Sequence, residues 1–299
     1  MRIALIFISV FVGALIFGAI AAYPVYIGLA HFNELPFHKV ISRTFLLSGL
    51  LFSISYLYFC GQLTKDGIGW RTGTHTKKRM FVTGLASGVL IVLLLDSSLL
   101  LLGIYELDAR VDTSAVTLLW VAIKAIATGI LVGLVEEIIF RGALFGGLNK
   151  QANATIALLA TSLVYAAVHF LKFREVPAEV DIGWFTGVEI IPIALFRFSN
   201  PVTIDSFITL FILGVLFALI RIRSKSLIPC IALHAGIVAA LKFMNYLTNY
   251  KSGSSYDFLV NKIDHQFGYL ASGLLLLAIL IYYFSSSISP GRDAKDELV

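Results

Sequence analysis

Eight stretches of this chain, approximately 3–30, 44–62, 80–104, 115–139, 154–172, 205–220, 226–248 and 268–285, are apolar and nearly free of charge. Nothing else in the sequence restricts the fold so strongly. A helix needs about 20 predominantly apolar residues to cross a bilayer. Inside lipid the backbone N–H and C=O groups must be satisfied within the protein, which a helix does alone. The runs therefore predict an all-α fold, a polytopic membrane bundle of about eight transmembrane helices. Composition agrees: 14% of the 299 residues are charged, where soluble domains carry roughly 25%. With 58% hydrophobic residues and a mean hydropathy of +0.89, there is too much apolar surface for one water-soluble core. Soluble enzymes, disordered chains and secreted disulfide scaffolds are excluded.

The first run exceeds the roughly 7–15-residue core of a signal peptide and reads as a span. Cys60 and Cys230 lie in apolar sequence without metal or redox spacing and read as small packing residues. The net charge of +5 reflects membrane orientation rather than nucleic-acid binding. With both termini inside, Arg2, Lys65, Arg71, Lys77, Lys78, Arg79, Arg141, Lys150, Arg221, Arg223, Lys225, Arg292 and Lys295 fall on the cytoplasmic side. Fewer, namely Lys39, Arg43, Arg110, Lys172, Arg174, Arg197, Lys251 and Lys262, fall opposite, as the positive-inside bias requires. The expected location is a bacterial inner membrane, N-in and C-in. The connection 173–204 mixes Glu175, Glu179, Asp181 and Glu189 with Trp184, Phe185, Ile190, Ile191, Phe196 and Phe198. It reads as an interfacial segment between spans five and six. Three regions follow: N-terminal spans 1–114, a core 115–248, and a C-terminal span and tail 249–299.

Ionisable residues at membrane depth are costly and mark function by default. They are few: Asp96, Lys124, Glu136, Glu137, Arg141, His169, His234 and Lys242. In Gly133-Leu134-Val135-Glu136-Glu137-Ile138-Ile139-Phe140-Arg141-Gly142, Glu137 and Arg141 stand four apart and pair on one helix face. Glu136 points about 100° away and is left free. A free carboxylate among apolar residues suits a general base acting on water. A bland reading competes, in which the charges sit at a helix end and reach the headgroups. Tyr165 and Ser162 share a helix face with His169, and His234 lies amid small residues deep in span seven. Glu136, His169 and His234 together can activate water directly, or hold a divalent metal such as zinc that does so.

The ordered set Glu136-Glu137-x-x-x-Arg141, Tyr165-x-x-x-His169 and His234 resembles the CPBP family of intramembrane proteases. That family includes the type II CAAX prenyl endopeptidases and lysostaphin-resistance-like proteins. The resemblance covers about 115–248. It implies that Glu136 and His169 activate water, and that His234 stabilises the oxyanion. It also implies a glutamate-type or metal-dependent endopeptidase acting on a membrane-embedded or lipidated substrate. The family places an Asn four residues after the last histidine, whereas this chain has Val238. Asn245 lies too far along the helix to replace it, which leaves Ser162 and Tyr165 as candidate donors. The HExxH, GxSG and GxGD signatures of other intramembrane proteases do not occur. Two further readings stand beside the enzyme. One is a non-catalytic membrane scaffold or immunity protein of the same fold, which Val238 keeps open. The other is an ion- or proton-coupled transporter running through Asp96, Lys124, Glu136, His169 and His234; against it stand the lack of an inverted repeat and a plainer reading in which Asp96 and Lys124 simply bridge spans three and four.

Overall fold

A computed structural model describes residues 2–30, 35–61, 63–64, 74–171, 176, 181–192 and 203–287. Of the residues used above, Lys65, Arg71, Lys172, Arg174, Glu175, Glu179, Phe196, Arg197, Phe198, Arg292 and Lys295 lie outside them.

The chain is an all-α membrane bundle. Its helices are α1 (Arg2–Ala30), α2 (Phe37–Phe59), α3 (Thr74–Leu101), α4 (Ala115–Glu137), α5 (Phe145–Gln151), α6 (Ala154–Val168), the single turn α7 (Thr186–Glu189), α8 (Ile204–Ser224), α9 (Ile228–Leu247) and α10 (Tyr269–Ser287). Local chemistry sets several ends. Pro36 stands extended before α2, where its fixed φ and missing N–H favour a start. The Ser114 and Asn153 side chains accept from Thr117 N and Ile156 N at the starts of α4 and α6. Lys225 leaves α8 through a left-handed conformation at φ 53°.

Six helices are long and apolar enough to cross a membrane. The runs read as spans five and eight form shorter apolar helices, Ala154–Val168 and Tyr269–Ser285. Span four departs the other way. It continues through a π-helical segment, Ile138–Leu144, into α5, so that Ala115–Gln151 forms 37 continuous residues. Glu136 and Glu137 therefore sit well inside a long helix, next to its π-helical part. This removes the reading of them as a helix end reaching the headgroups.

The most buried span, α9, lies between α3 and α4. Glycines permit this close approach: a Cβ on Gly88 of α3 would lie 2.3 Å from the Leu233 carbonyl oxygen. One on Gly133 of α4 would lie 2.9 Å from that of Ile231. Helices α1 and α2 pack as a pair, α6 packs on α8, and α2 also meets the π-helical segment. A short antiparallel pairing that the apolar runs did not announce ties the ends of α3 and α9. There β1 (Tyr105–Leu107) meets β2 (Thr248–Tyr250), with Tyr105 opposite Tyr250. The described part of the interfacial segment folds back on α1 and α2. Ile182, Val188, Ile190 and Ile191 pack towards Ala19, Ala22, Phe37 and Phe45, while Trp184 and Phe185 stay exposed.

Several side chains depart from expectation. Asp96 is fully buried and neither carboxylate oxygen has a hydrogen-bond partner, so it does not bridge to Lys124. Lys124 is exposed, with its ammonium 4.9 Å from the centre of the Trp120 ring. Cys230 is buried as expected, but Cys60 is exposed at the end of α2.

Candidate active site

The helices bring Glu136, Glu137, Arg141, His169 and His234 to one place. Glu137 and Arg141 are fully buried and pair at 3.1 Å. The same Glu137 oxygen accepts from Nδ1 of His234 at 2.9 Å. Arg141 donates from Nη2 to the Gly214 carbonyl on α8 at 3.1 Å. Its guanidinium carbon lies 4.6 Å from the Tyr165 ring centre and 4.7 Å from that of Phe217. A desolvated cation held between aromatic faces and a carboxylate is the setting in which a buried arginine is tolerated. Phe217 also stacks on the His234 ring, with centres 5.0 Å apart and planes at 22°.

Glu136 has a different environment. Its Oε2 stands 3.7 Å from His169 Nε2 and 3.8 Å from His234 Nε2, and has no hydrogen-bond partner. The three atoms are too far apart for direct hydrogen bonds and close enough for one bridging molecule. Helix α6 ends at Val168, so His169 sits at its C-cap. From there Nδ1 bonds the Tyr165 carbonyl at 2.8 Å. A carbonyl can only accept, so Nδ1 carries the proton, and a neutral ring presents its Nε2 lone pair to Glu136. On His234 the Nδ1–H is likewise committed to Glu137, because that carboxylate also faces Arg141.

Two cavities meet at this cluster, with His169 on both. The larger, of about 350 Å³, is lined by Phe11 and Ala14 of α1, Phe45, Gly49 and Phe52 of α2, and by Glu136, Phe140 and His169. The second, of about 180 Å³, is lined by His169, His234, Tyr165 and Val238, with Thr203, Ser206, Asn261 and Asp264 among its polar walls. Val238 thus lies on a cavity wall one turn from His234. Of the two hydroxyl candidates, Tyr165 borders this cavity. Ser162 does not: it donates to Leu158 O at 2.7 Å and packs beneath Gly214. Asn245 is engaged with Gln266 at 3.1 Å, which takes it away from the cluster. Among the described residues no group of three His, Cys, Asp or Glu side chains is arranged to hold a metal ion.

Sequence reasoning missed the second role of Glu137, which holds His234 as well as Arg141, and it missed Phe217. Neither has a local signal, because both depend on which helices become neighbours. A general cue did exist, since buried charges demand partners from elsewhere.

A bundle of membrane helices around paired glutamates and two histidines defines an integral membrane protein with a polar centre. The model of the family described as type II CAAX prenyl endopeptidase Rce1-like matches residues 118–240. That stretch runs from α4 into α9 and contains every residue of the cluster. Comparison with curated proteins and with solved structures finds no match.

Proposed function

We propose that the chain is an intramembrane endopeptidase that cleaves a membrane-associated or lipidated substrate, using water activated by Glu136 and His169. The observation that carries this reading is the unpartnered Glu136 Oε2 facing two imidazole Nε2 atoms at 3.7 and 3.8 Å. A water at their centre donates one hydrogen to Glu136 and the other to the His169 lone pair, so its oxygen is aimed away from both. Glu136 removes its proton as the oxygen adds to the scissile carbonyl carbon. When the C–N bond breaks, the same proton passes to the leaving amine. The carbonyl oxygen becomes negative in between, and a protonated His234 donates to it from Nε2. The apolar cavity beside Glu136 is suited to an acyl or prenyl chain or to apolar side chains, and the polar cavity to peptide groups.

Zinc fits this set poorly. Two ligands at about 2.1 Å around a tetrahedral zinc stand roughly 3.4 Å apart, closer than the separations here. We therefore assign water activation to the protein groups alone. With both termini inside, as the lysine and arginine bias favours, the basic helix ends face the cytoplasm.

The test is cleavage of a peptide with a lipidated C-terminal cysteine by the purified, reconstituted chain. Wild type should cleave it, should keep its rate after exhaustive chelation, and should lose activity as Glu136→Gln. Loss on chelation with recovery on zinc addition would replace direct activation by a metal. Absence of cleavage, together with no precursor accumulating in Glu136→Gln cell membranes, would favour the scaffold reading.

A further inference from the structure

One polar group on the wall of the second cavity has no task in the mechanism above. Tyr165 is 1% exposed, and its hydroxyl makes no hydrogen bond to a described residue. A phenolic hydroxyl sealed in that state would be costly. This one is not sealed: its oxygen is not among the fully enclosed polar atoms that lack a partner. The little accessible surface left to Tyr165 therefore lies at the hydroxyl, and the space it meets is the cavity lined by His169, His234 and Val238.

Packing fixes the ring that carries this group. Phe140 and Phe217 meet it edge-on, with ring centres 5.2 and 6.2 Å away. The Arg141 guanidinium lies over its face, and a cation there polarises the O–H into a stronger donor. The rings of Tyr165 and His234 stand 6.3 Å apart with planes at 78°, so they approach one cavity from nearly perpendicular directions. Other polar walls of the cavity are engaged elsewhere. Ser206 donates to Asp264 at 2.8 Å, and Asn261 donates to Asp205. Along α8, Ser206 is also about 16 Å from Phe217, the residue stacked on His234, at ~1.5 Å per residue.

We infer that the Tyr165 hydroxyl is a second oxyanion donor, acting beside His234 in a cavity whose position 238 carries no amide. The inference rests on the hydrolysis proposed above. As the water oxygen bonds to the scissile carbon, the C=O π pair moves onto the carbonyl oxygen, which accepts from the Tyr165 O–H and from His234. When the C–N bond breaks, that pair returns and the carbonyl is restored. Tyr165 keeps its proton throughout. A hydrogen bond to growing charge is stronger than one to the resting carbonyl, so the contribution falls on kcat rather than on KM. The Tyr165 backbone has a separate duty, because its carbonyl holds His169 Nδ1 at 2.8 Å. Removing the hydroxyl leaves that contact in place.

The full-length chain, purified and reconstituted, is assayed on a peptide carrying a lipidated cysteine. A second peptide has its scissile carbonyl oxygen replaced by sulfur, a weaker acceptor. Tyr165→Phe should lower kcat on the oxygen peptide by about 10²–10³-fold, the loss typical of one such donor, with melting near that of wild type. KM should stay within about twofold, and on the sulfur peptide the loss should shrink to less than about tenfold. Ser162→Ala, whose hydroxyl is spent on Leu158, should change kcat by less than about twofold. No cleavage of the oxygen peptide by wild type would remove the reaction and this role with it. Cleavage by wild type with an unchanged kcat in Tyr165→Phe would overturn the role alone. So would an equal loss on both peptides, or a loss that follows a fall in melting temperature.

Discussion

The two halves of the glutamate pair occupy opposite kinds of environment although they are adjacent in the chain. Around Glu137 Oε1 the protein supplies the partners, Arg141 on its own helix and His234 from α9, with Gly214 and Phe217 of α8 beyond them, although Oε2 of the same carboxylate has no hydrogen-bond partner. Around Glu136 the protein supplies orientation and leaves a gap, with two nitrogens beyond hydrogen-bond reach and an apolar cavity alongside. The difference teaches that one turn of helix can hold both a charge tied into the packing and one that faces a cavity. What separates them is how many partners arrive from other helices. Glu137 is part of the packing, whereas Glu136 faces a cavity with its Oε2 unbonded.

The strongest way to break this comparison is Glu136→Gln. It should lower peptide cleavage by about 10²–10⁴-fold, the usual contribution of a general base, with thermal melting in detergent near that of wild type. Next in size are Glu137→Gln and Arg141→Ala, which each leave a buried charge without its counterpart. They should destabilise the protein by about 3–5 kcal/mol, read as a large drop in melting temperature before any effect on rate is interpreted. If Glu137→Gln instead melts normally and only Glu136→Gln melts early, the structural and reactive roles are exchanged. Val238→Asn sharpens the open half. Position 238 lies on the cavity wall, so the amide should cost less than about 1 kcal/mol and can raise cleavage by up to ~10²-fold if it reaches the oxyanion. A clear loss of stability with no gain in rate would place Val238 in the packing. The smallest effect is expected at Asp96, a buried carboxylate that lacks the partners Glu137 enjoys. Asp96→Leu should leave stability unchanged or raise it by about 1 kcal/mol, and a marked fall in melting temperature would reveal a partner.

Much of the architecture was legible because apolar length is a direct statement about a bilayer. The residues of the cluster were legible for the complementary reason, that Glu136, Glu137, His169 and His234 stand out in otherwise apolar runs. Other features were not readable. Asn149, Lys150 and Gln151 look like a connection, which hid the continuation of α4 into α5. Trp184 and Phe185 looked interfacial, while the packing of Ile190 and Ile191 on α1 and α2 depended on non-local pairing. Asp96 and Lys124 suggested a bridge by sign alone, and helix rotation set them apart. The double engagement of Glu137 required knowing that Gly133 brings α9 against α4.

The end of α6 at Val168 has a consequence for the surrounding bilayer. Fifteen residues span about 22 Å at ~1.5 Å per residue, some 8 Å short of a hydrocarbon layer of roughly 30 Å. Lipid meeting an element that short relieves the mismatch by thinning locally. Thinning on the side of α6 that bears His169 would draw headgroups and the water they carry towards that residue. For the hydrolysis proposed above, such a dent would bring the one water consumed per bond cleaved, with no need for a continuous aqueous channel through the protein.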